Sequence, residues 1–261
     1  ESKGFLDENG NDFLNYTMTA SWTQSTLNRG RMATRGASQT VAMEVSAPFS
    51  DLEFYKITYA GEIYFPVPVL ERWTLRLRTE LGFGGGYGDT SELPFYENFF
   101  AGGFGSVRGY ESNTLGPRST PADIYAAALP VTAIDENGNP TEFGGELAYV
   151  ARVNADGEDK LVFSSVDDDL DPFGGDVLIE GSAELLFPLP FIKDQSQIRT
   201  GFFVDVGNVF DTDCGSTQAA CFDVDLGELR YSVGVGLTWI TGFGPMSFSL
   251  AKPLNSGEFD E

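Results

Sequence analysis

Along the chain, apolar and polar residues take turns. Tyr16, Met18, Ala20 and Trp22 fall on one side of an extended backbone, and Thr17, Thr19, Ser21 and Thr23 on the other. Val41, Met43 and Val45 then oppose Thr40, Ala42, Glu44 and Ser46. Tyr55, Ile57, Tyr59, Ile63 and Phe65 oppose Lys56, Thr58, Ala60 and Glu62. Leu75, Leu77 and Leu81 oppose Arg76, Arg78, Glu80 and Gly82. Side chains of a strand alternate between its faces, so a period of two predicts strands. After a long interval the pattern returns. Ile179, Ala183, Leu185 and Phe187 oppose Glu180, Ser182 and Glu184, and Ile198, Phe202, Val204 and Val206 oppose Arg199, Gly201, Asp205 and Gly207. Tyr231, Val233, Val235, Leu237 and Trp239 oppose Arg230, Ser232, Gly234, Gly236 and Thr238, and Met246, Phe248 and Leu250 oppose Ser247, Ser249 and Ala251.

Eight amphipathic strands are predicted, near 14–24, 38–48, 53–66, 72–84, 176–188, 197–210, 228–240 and 245–253, with one long loop over 85–175. Two solvents fit such a pattern. A soluble β-sandwich alternates, and so does a transmembrane antiparallel β-barrel. Two details favour the barrel: charges stand in mid-strand on the polar face (Glu44, Arg78, Glu184, Asp205), and the apolar face is uninterrupted and ends in aromatics. Membrane strands need about 9–11 tilted residues with an apolar outer band and a wet interior. Backbone groups in hydrocarbon must all be paired, which requires closure rather than an open sheet. With the strands running up and down in order, the long segments Gly84–Asp176 and "DTDCGSTQAACFDVDLGE" fall on one side. The turns near "LNRGRMATRG", "PVPVLER", "PLPFIKDQSQ" and "TGFG" fall on the other, which is the barrel's division into surface loops and periplasmic turns.

Composition narrows the function classes. Phe 22, Tyr 10 and Gly 31 suit strands, tight turns and interfacial girdles. The longest apolar run, Ile124–Ile134, carries Pro130 and is too short for a membrane helix. The chain lacks an initiator Met and a signal-like start, so it is expected to begin inside a longer protein. A net charge of -23 leaves no basic stripe for nucleic acid. Fourteen carboxylates stand between Glu111 and Asp176 against Arg118, Arg152 and Lys160. Such a block reads as a solvated loop or, at a cell surface, as a holder of divalent cations. Histidine is absent, which removes Ser-His and Cys-His catalysis and most zinc chemistry, and no metal or cofactor is expected. Cys214 and Cys221, a short turn-rich loop apart, are expected to form a disulfide if the segment is extracytoplasmic; two free thiols are the alternative.

The long loop opens on "PFYENFFAGGFGSVRGYESNTLGPR". Its glycines do not read as a phosphate cradle, because turn sequence rather than a helix follows them and no Lys-Ser/Thr pair is present. The stretch resembles the sixth-loop motif of the BamA family, the barrel subunits of the outer-membrane protein assembly machinery. Its V-R-G-Y core also resembles the wider superfamily of two-partner secretion transporters and TamA-like barrels. "SAELLFPLPF", "TGFFVDVGNVFDT" and "GLTWITGFGPMSFSLAKP" are similar to the same family, in the same order.

The resemblance implies about eight strands, eighth to fifteenth, of a sixteen-stranded barrel. The loop would fold into the lumen, and the gate strands and periplasmic repeats would lie outside this chain. It places the latch in Val107, Arg108, Gly109 and Tyr110, with Gly102 and Gly103 before them, and its acceptors at Glu184 and Asp205. Alternation alone had already put both carboxylates on the polar face. Gly201, Gly207, Gly234 and Gly236 on that face would give the loop clearance, or the strands curvature. The implied role is non-enzymatic: insertion and folding of client β-barrel proteins in the bacterial outer membrane. The implied partners are outer-membrane lipid and lipopolysaccharide, the clients, and the assembly lipoproteins. A two-partner-secretion or TamA-like translocation barrel, or a passive porin, is the alternative; an outer-membrane enzyme has no catalytic constellation to rest on.

Overall fold

The computed structural model describes residues 13–68, 70, 72–118, 129–130, 149–150, 163–164, 172–192, 197–212, 221, 223–257 and 260. Eight long strands make up its main sheet: β1 (Thr17–Ser25), β2 (Gly36–Ser46), β3 (Phe54–Pro66), β4 (Thr74–Gly86), β5 (Val177–Phe187), β6 (Ile198–Phe210), β7 (Arg230–Thr241) and β8 (Gly244–Pro253). Each pairs antiparallel with its neighbours in sequence, so the sheet order is the chain order, an up-and-down meander. Among the described residues β1 and β8 pair on one side only, and the sheet is unclosed. The described helices are two single 3-10 turns, Phe95–Glu97 and Leu226–Glu228. Three two-residue strands (Leu129–Pro130, Tyr149–Val150, Phe163–Ser164) form a separate small sheet within the long loop.

Register converts the period of two into two distinct faces. Directly paired residues share a face, so Glu62, Arg78, Ser182, Asp205 and Ser232 form one row across β3 to β7. Tyr64, Arg76, Glu184, Phe203 and Gly234 form the next row. This inner face is covered by the loop that follows β4: Val107, Leu115, Asp205 and Ser232 are all fully or almost fully buried. The outer face is the opposite. Met18, Met43, Ile57, Leu81, Val204 and Phe248, all on this one face of the sheet, are exposed. So wide an apolar surface on a soluble protein would be an interaction or aggregation site; on a barrel it is the lipid-facing band. At the short-turn end, Trp73 packs tilted on Phe187, which stacks on Phe202, with centroids 5.4 and 4.9 Å apart. Such an aromatic cluster suits a membrane interface.

The alternation along β6 breaks in one place from the expected set. Phe203, an aromatic, stands on the inner face between Gly201 and Asp205 and is buried. Its ring fits there because Gly234 lies opposite: a Cβ at Gly234 would run into the Phe203 ring.

An arginine on the lipid-facing side of such a sheet is costly. Leu81→Arg is expected to lower unfolding stability in phosphatidylcholine vesicles by about 2–4 kcal/mol, as for cations near a bilayer midplane. The measurement is the urea midpoint at constant slope; a midpoint equal to the parent's would overturn the assignment of this face to lipid.

Candidate functional site: an arginine clamp on the inner face

The segment after β4 turns back over the sheet and is zipped to the far end of the long loop. Phe99 and Gly175 exchange two backbone hydrogen bonds, at 2.8 and 3.1 Å, and the Phe173 amide donates to the Pro117 carbonyl at 3.0 Å. The Asn98 amide group donates to the Phe173 carbonyl at 3.0 Å. Between these ties the chain makes a compact knot, with Leu115 N–H donating to the Ala101 carbonyl at 3.1 Å. Gly102, Gly103 and Gly109 have φ of 105°, 91° and 102°, a region that side chains other than glycine's seldom enter. Here the glycines serve backbone turns. The knot seats itself by apolar burial, with Phe99, Ala101, Val107, Tyr110 and Leu115 clustering on Leu178 of β5 and Val209 of β6. Tyr110 reaches furthest, its hydroxyl donating to the carbonyls of Asn255 at 2.6 Å and Tyr231 at 3.2 Å.

Arg108 sits at the centre of this contact. Its Nε and Nη2 fork onto the two oxygens of Asp205 at 2.7 and 2.8 Å, and its own backbone N–H donates to the same carboxylate at 3.1 Å. Nη1 lies 2.6 Å from Glu184 Oε1, and Nη2 donates to Ser182 Oγ at 3.2 Å. The guanidinium carbon lies 3.5 Å from the centre of the Phe203 ring, a cation–π contact that strengthens as water is excluded. The register makes this possible. Glu184 is opposite Phe203 and Asp205 is two residues further along β6, so the two carboxylates stand on the same face at diagonal positions that one planar fork can span. Burial by itself would lower the Arg108 pKa, but the hydrogen bonds and charges of Asp205 and Glu184 outweigh it and raise it above the usual arginine value.

The clamp belongs to a longer chain of charge. Glu184 also accepts from Arg76 at 3.1 Å, and Arg76 in turn pairs with Glu62 at 3.1 Å. The order is Glu62, Arg76, Glu184, Arg108, Asp205, with signs alternating throughout. Ser182 Oγ donates to Asp205 at 2.6 Å, which leaves the fully buried carboxylate well supplied with donors. A second grip lies beside the first. Arg78 donates to the loop carbonyls of Gly105 at 2.5 Å and Ser106 at 3.3 Å, and the Ser106 hydroxyl donates to Glu180. Lys56 reaches Glu97 at 3.0 Å and lies over the Phe99 ring.

The structure thus brings Val107, Arg108, Gly109 and Tyr110 onto the inner face, with Arg108 on both Glu184 and Asp205. The remaining anchors, Arg78, Glu180, Ser182, Arg76 and Phe203, were not named as such from the sequence. All but Phe203 had been placed on the polar face, and the register of four strands was needed to show which of them meet. Two of the four inner glycines face the loop. A Cβ at Gly207 would lie 2.8 Å from the Ile179 carbonyl oxygen of β5 and 3.0 Å from Val107 Cγ2 of the loop, and one at Gly236 would be nearest to Arg108 Nη1, at 3.8 Å. The other two make room within the sheet, Gly201 for Leu186 and Gly234 for Phe203. Cys221 is disulfide-bonded. Cys214, the only other cysteine in the sequence, lies outside the described residues, as does most of the acidic block. Among the described residues no group of three or more Cys, His, Asp or Glu could hold a metal ion.

Arg108→Ala would strand Asp205 and Glu184 beneath the loop. A loss of about 3–5 kcal/mol is expected, because removing one partner of a buried pair leaves the other uncompensated. Faster proteolytic cleavage between Phe99 and Arg118 would report it. Adding Asp205→Ala should recover part of the loss, with a coupling of roughly 0.5–3 kcal/mol; strict additivity of the two changes would show that the pair is not an energetic unit. Gly207→Val, which pushes on the β5 backbone at Ile179 and on Val107 above it, should speed amide exchange at Val107 and Arg108. Gly30→Ala, at a site with nothing within 4 Å of the new Cβ, should leave exchange there unchanged.

Comparison with known proteins agrees with this architecture. Residues 2–261 match the family described as the Omp85 superfamily domain. The chain is 33% identical over 265 residues to the outer membrane protein assembly factor BamA of Neisseria meningitidis serogroup B, covering 94% of this chain and 27% of that protein. It is 32% identical over 91 residues to BamA of Neorickettsia risticii, covering 35% of this chain and 12% of that one. The crystal structure of BamA from Haemophilus ducreyi lacking POTRA domains 1-3 superimposes on all of this chain with a TM-score of 0.72 at 24% identity, and shares the fold over 45% of its own length. The chain therefore spans about a quarter of the length of the Neisseria relative. The match over nearly the whole sequence shows that the chain belongs to the Omp85 superfamily.

Proposed function

We propose that this chain is a wall segment, with its bracing loop, of an outer-membrane barrel that inserts and folds client β-barrel proteins. The observation that carries the reading is the clamp: Arg108, in the Val107-Arg108-Gly109-Tyr110 stretch, bound to Asp205 and Glu184 on neighbouring strands. The similarity to a protein named as an outer membrane assembly factor supports it. The reading is non-enzymatic. The protein's work would be mechanical and solvational, offering a client an apolar surround and a strand-pairing template while the braced wall keeps its shape. The partners it implies are outer-membrane lipid and lipopolysaccharide, client barrels, and the lipoproteins of the assembly machinery. The long segments after β4 and β6 would face the cell surface and the short turns the periplasm. A passive porin needs no such brace, since a stable open lumen is all that conduction requires.

Clamp variants carry the test. In the full-length protein, Arg108→Ala or Glu184→Gln is expected to reduce the steady-state amount of folded outer-membrane proteins several-fold, read by heat-modifiable mobility of a client barrel. Normal client levels together with normal protease resistance of the loop in Arg108→Ala would sink the proposal.

A further inference from the structure

Beneath the tip of the loop, at the short-turn end of the sheet, lies a cavity of about 440 Å³. Five arginines line it: Arg31, Arg76, Arg78, Arg108 and Arg199, with Glu184 the one carboxylate in its wall among the described residues. The chain has only 16 Lys and Arg in 261 residues against 39 Asp and Glu, so nearly a third of its cations converge on this space. They come from separate elements. Arg31 is in the turn after β1, Arg76 and Arg78 are in β4, Arg199 is at the start of β6, and Arg108 is on the loop above.

Most of this charge is matched within the protein. Arg76 and Arg108 are held by Glu62, Glu184 and Asp205, and Arg78 lies 3.9 Å from Glu180. Among the described residues Arg199 and Arg31 have no such match. Arg199 donates to the Ala33 carbonyl at 2.7 Å and lies over the Tyr64 ring. Among the described residues neither arginine has a carboxylate within ion-pair distance. Five guanidiniums thus stand against four carboxylates, and three of those four lie behind the wall rather than in it. The remainder of the lining is mixed: Ser182, Thr238 and Ser247 contribute hydroxyls, those of Thr238 and Ser247 lying 3.1 Å apart, and Phe104 and Ile240 are apolar.

We infer that this cavity is a binding site for a phosphate group, either free or as the phosphomonoester head of a lipid. Three features favour phosphate over the carboxylates of an acidic peptide. The donors come from several separate elements around one cavity, an arrangement that suits a tetrahedral oxyanion better than a planar carboxylate met from one edge. A phosphate monoester carries about −1.5 to −2 charge at neutral pH, enough for one compact group to balance the two guanidiniums of Arg31 and Arg199 in the same cavity wall. The volume of about 440 Å³ accommodates a compact head group. Guanidinium is the side chain best suited to such a contact, since its fork engages phosphate oxygens in pairs. The site is separate in its consequences from the proposed assembly role: binding is read directly, and neither result depends on client folding.

The experiment uses the full-length protein. In detergent at low ionic strength, titration with inorganic phosphate or pyrophosphate is followed by calorimetry. In nanodiscs, protection of the loop from protease is compared between discs containing dioleoyl phosphatidic acid and discs of phosphatidylcholine alone. Saturable binding in detergent assigns the free anion, and protection by phosphatidic acid alone assigns the lipid head; either supports the inference. Affinity, or protection, should fall at least tenfold in Arg199→Gln with Arg31→Gln and stay near the parent's in Arg35→Gln, which lies on the same turn outside the cavity. The exposed Arg31→Gln variant alone, expected to lose severalfold, keeps the test valid if Arg199→Gln disturbs folding. No saturable response to either probe would overturn the inference. So would a response unaffected by the arginine changes, or tighter binding of an oligoglutamate peptide than of pyrophosphate.

Discussion

A fully buried aspartate needs a cation, and in this protein the cation arrives on a loop. Asp205 has no exposed surface, and its oxygens take the fork of Arg108, the Arg108 backbone N–H and the Ser182 hydroxyl. A buried carboxylate without such partners would cost several kcal/mol. The inner face of β5 and β6 is therefore not a finished surface by itself. It is one half of a contact whose other half lies about a hundred residues earlier in the chain, and the sequence of the wall makes sense only with the loop in place.

Register governs everything around that contact. Because a slip of one residue turns every side chain to the other face, the pairing of Ser182 with Asp205 and of Glu184 with Phe203 holds both carboxylates where one guanidinium can reach them. The same register stacks Arg76 between Glu62 and Glu184, so that the clamp's second carboxylate is itself held from behind. Size matters as much as charge. Phe203 forms the floor under Arg108, and it fits because β7 has a glycine opposite. Val107 fits because β6 has one at Gly207. Apolar seating, ring stacking and ion pairing all act on the same few square ångströms, and each orients the others.

The sequence made the strands legible because the two faces meet different surroundings, and the contrast is written at every second residue. Glu184 and Asp205 could be placed on the polar face by counting alone. Their joint grip on one arginine could not, because it depends on the diagonal offset between neighbouring strands, which loop lengths and pairing decide. Phe203 escaped for a related reason. In "GFFVDVG" two adjacent aromatics leave the period ambiguous, and an aromatic under a guanidinium looks in sequence like one more apolar residue. The inner glycines divided into two uses, loop clearance and room within the sheet, that only the neighbours' side chains can separate.

The double attachment of Arg108, through side chain and backbone to one carboxylate, has a consequence for how this part of the molecule opens. Lifting the loop away from an intact β6 would break all three Arg108 contacts to Asp205 at once. β5 and β6 likewise cannot separate without letting go of the loop. Loop and wall therefore form a single cooperative unit in the sense used for local unfolding. Segments far apart in the chain would share one opening free energy, and the exchange of a loop amide would measure the integrity of the barrel wall behind it.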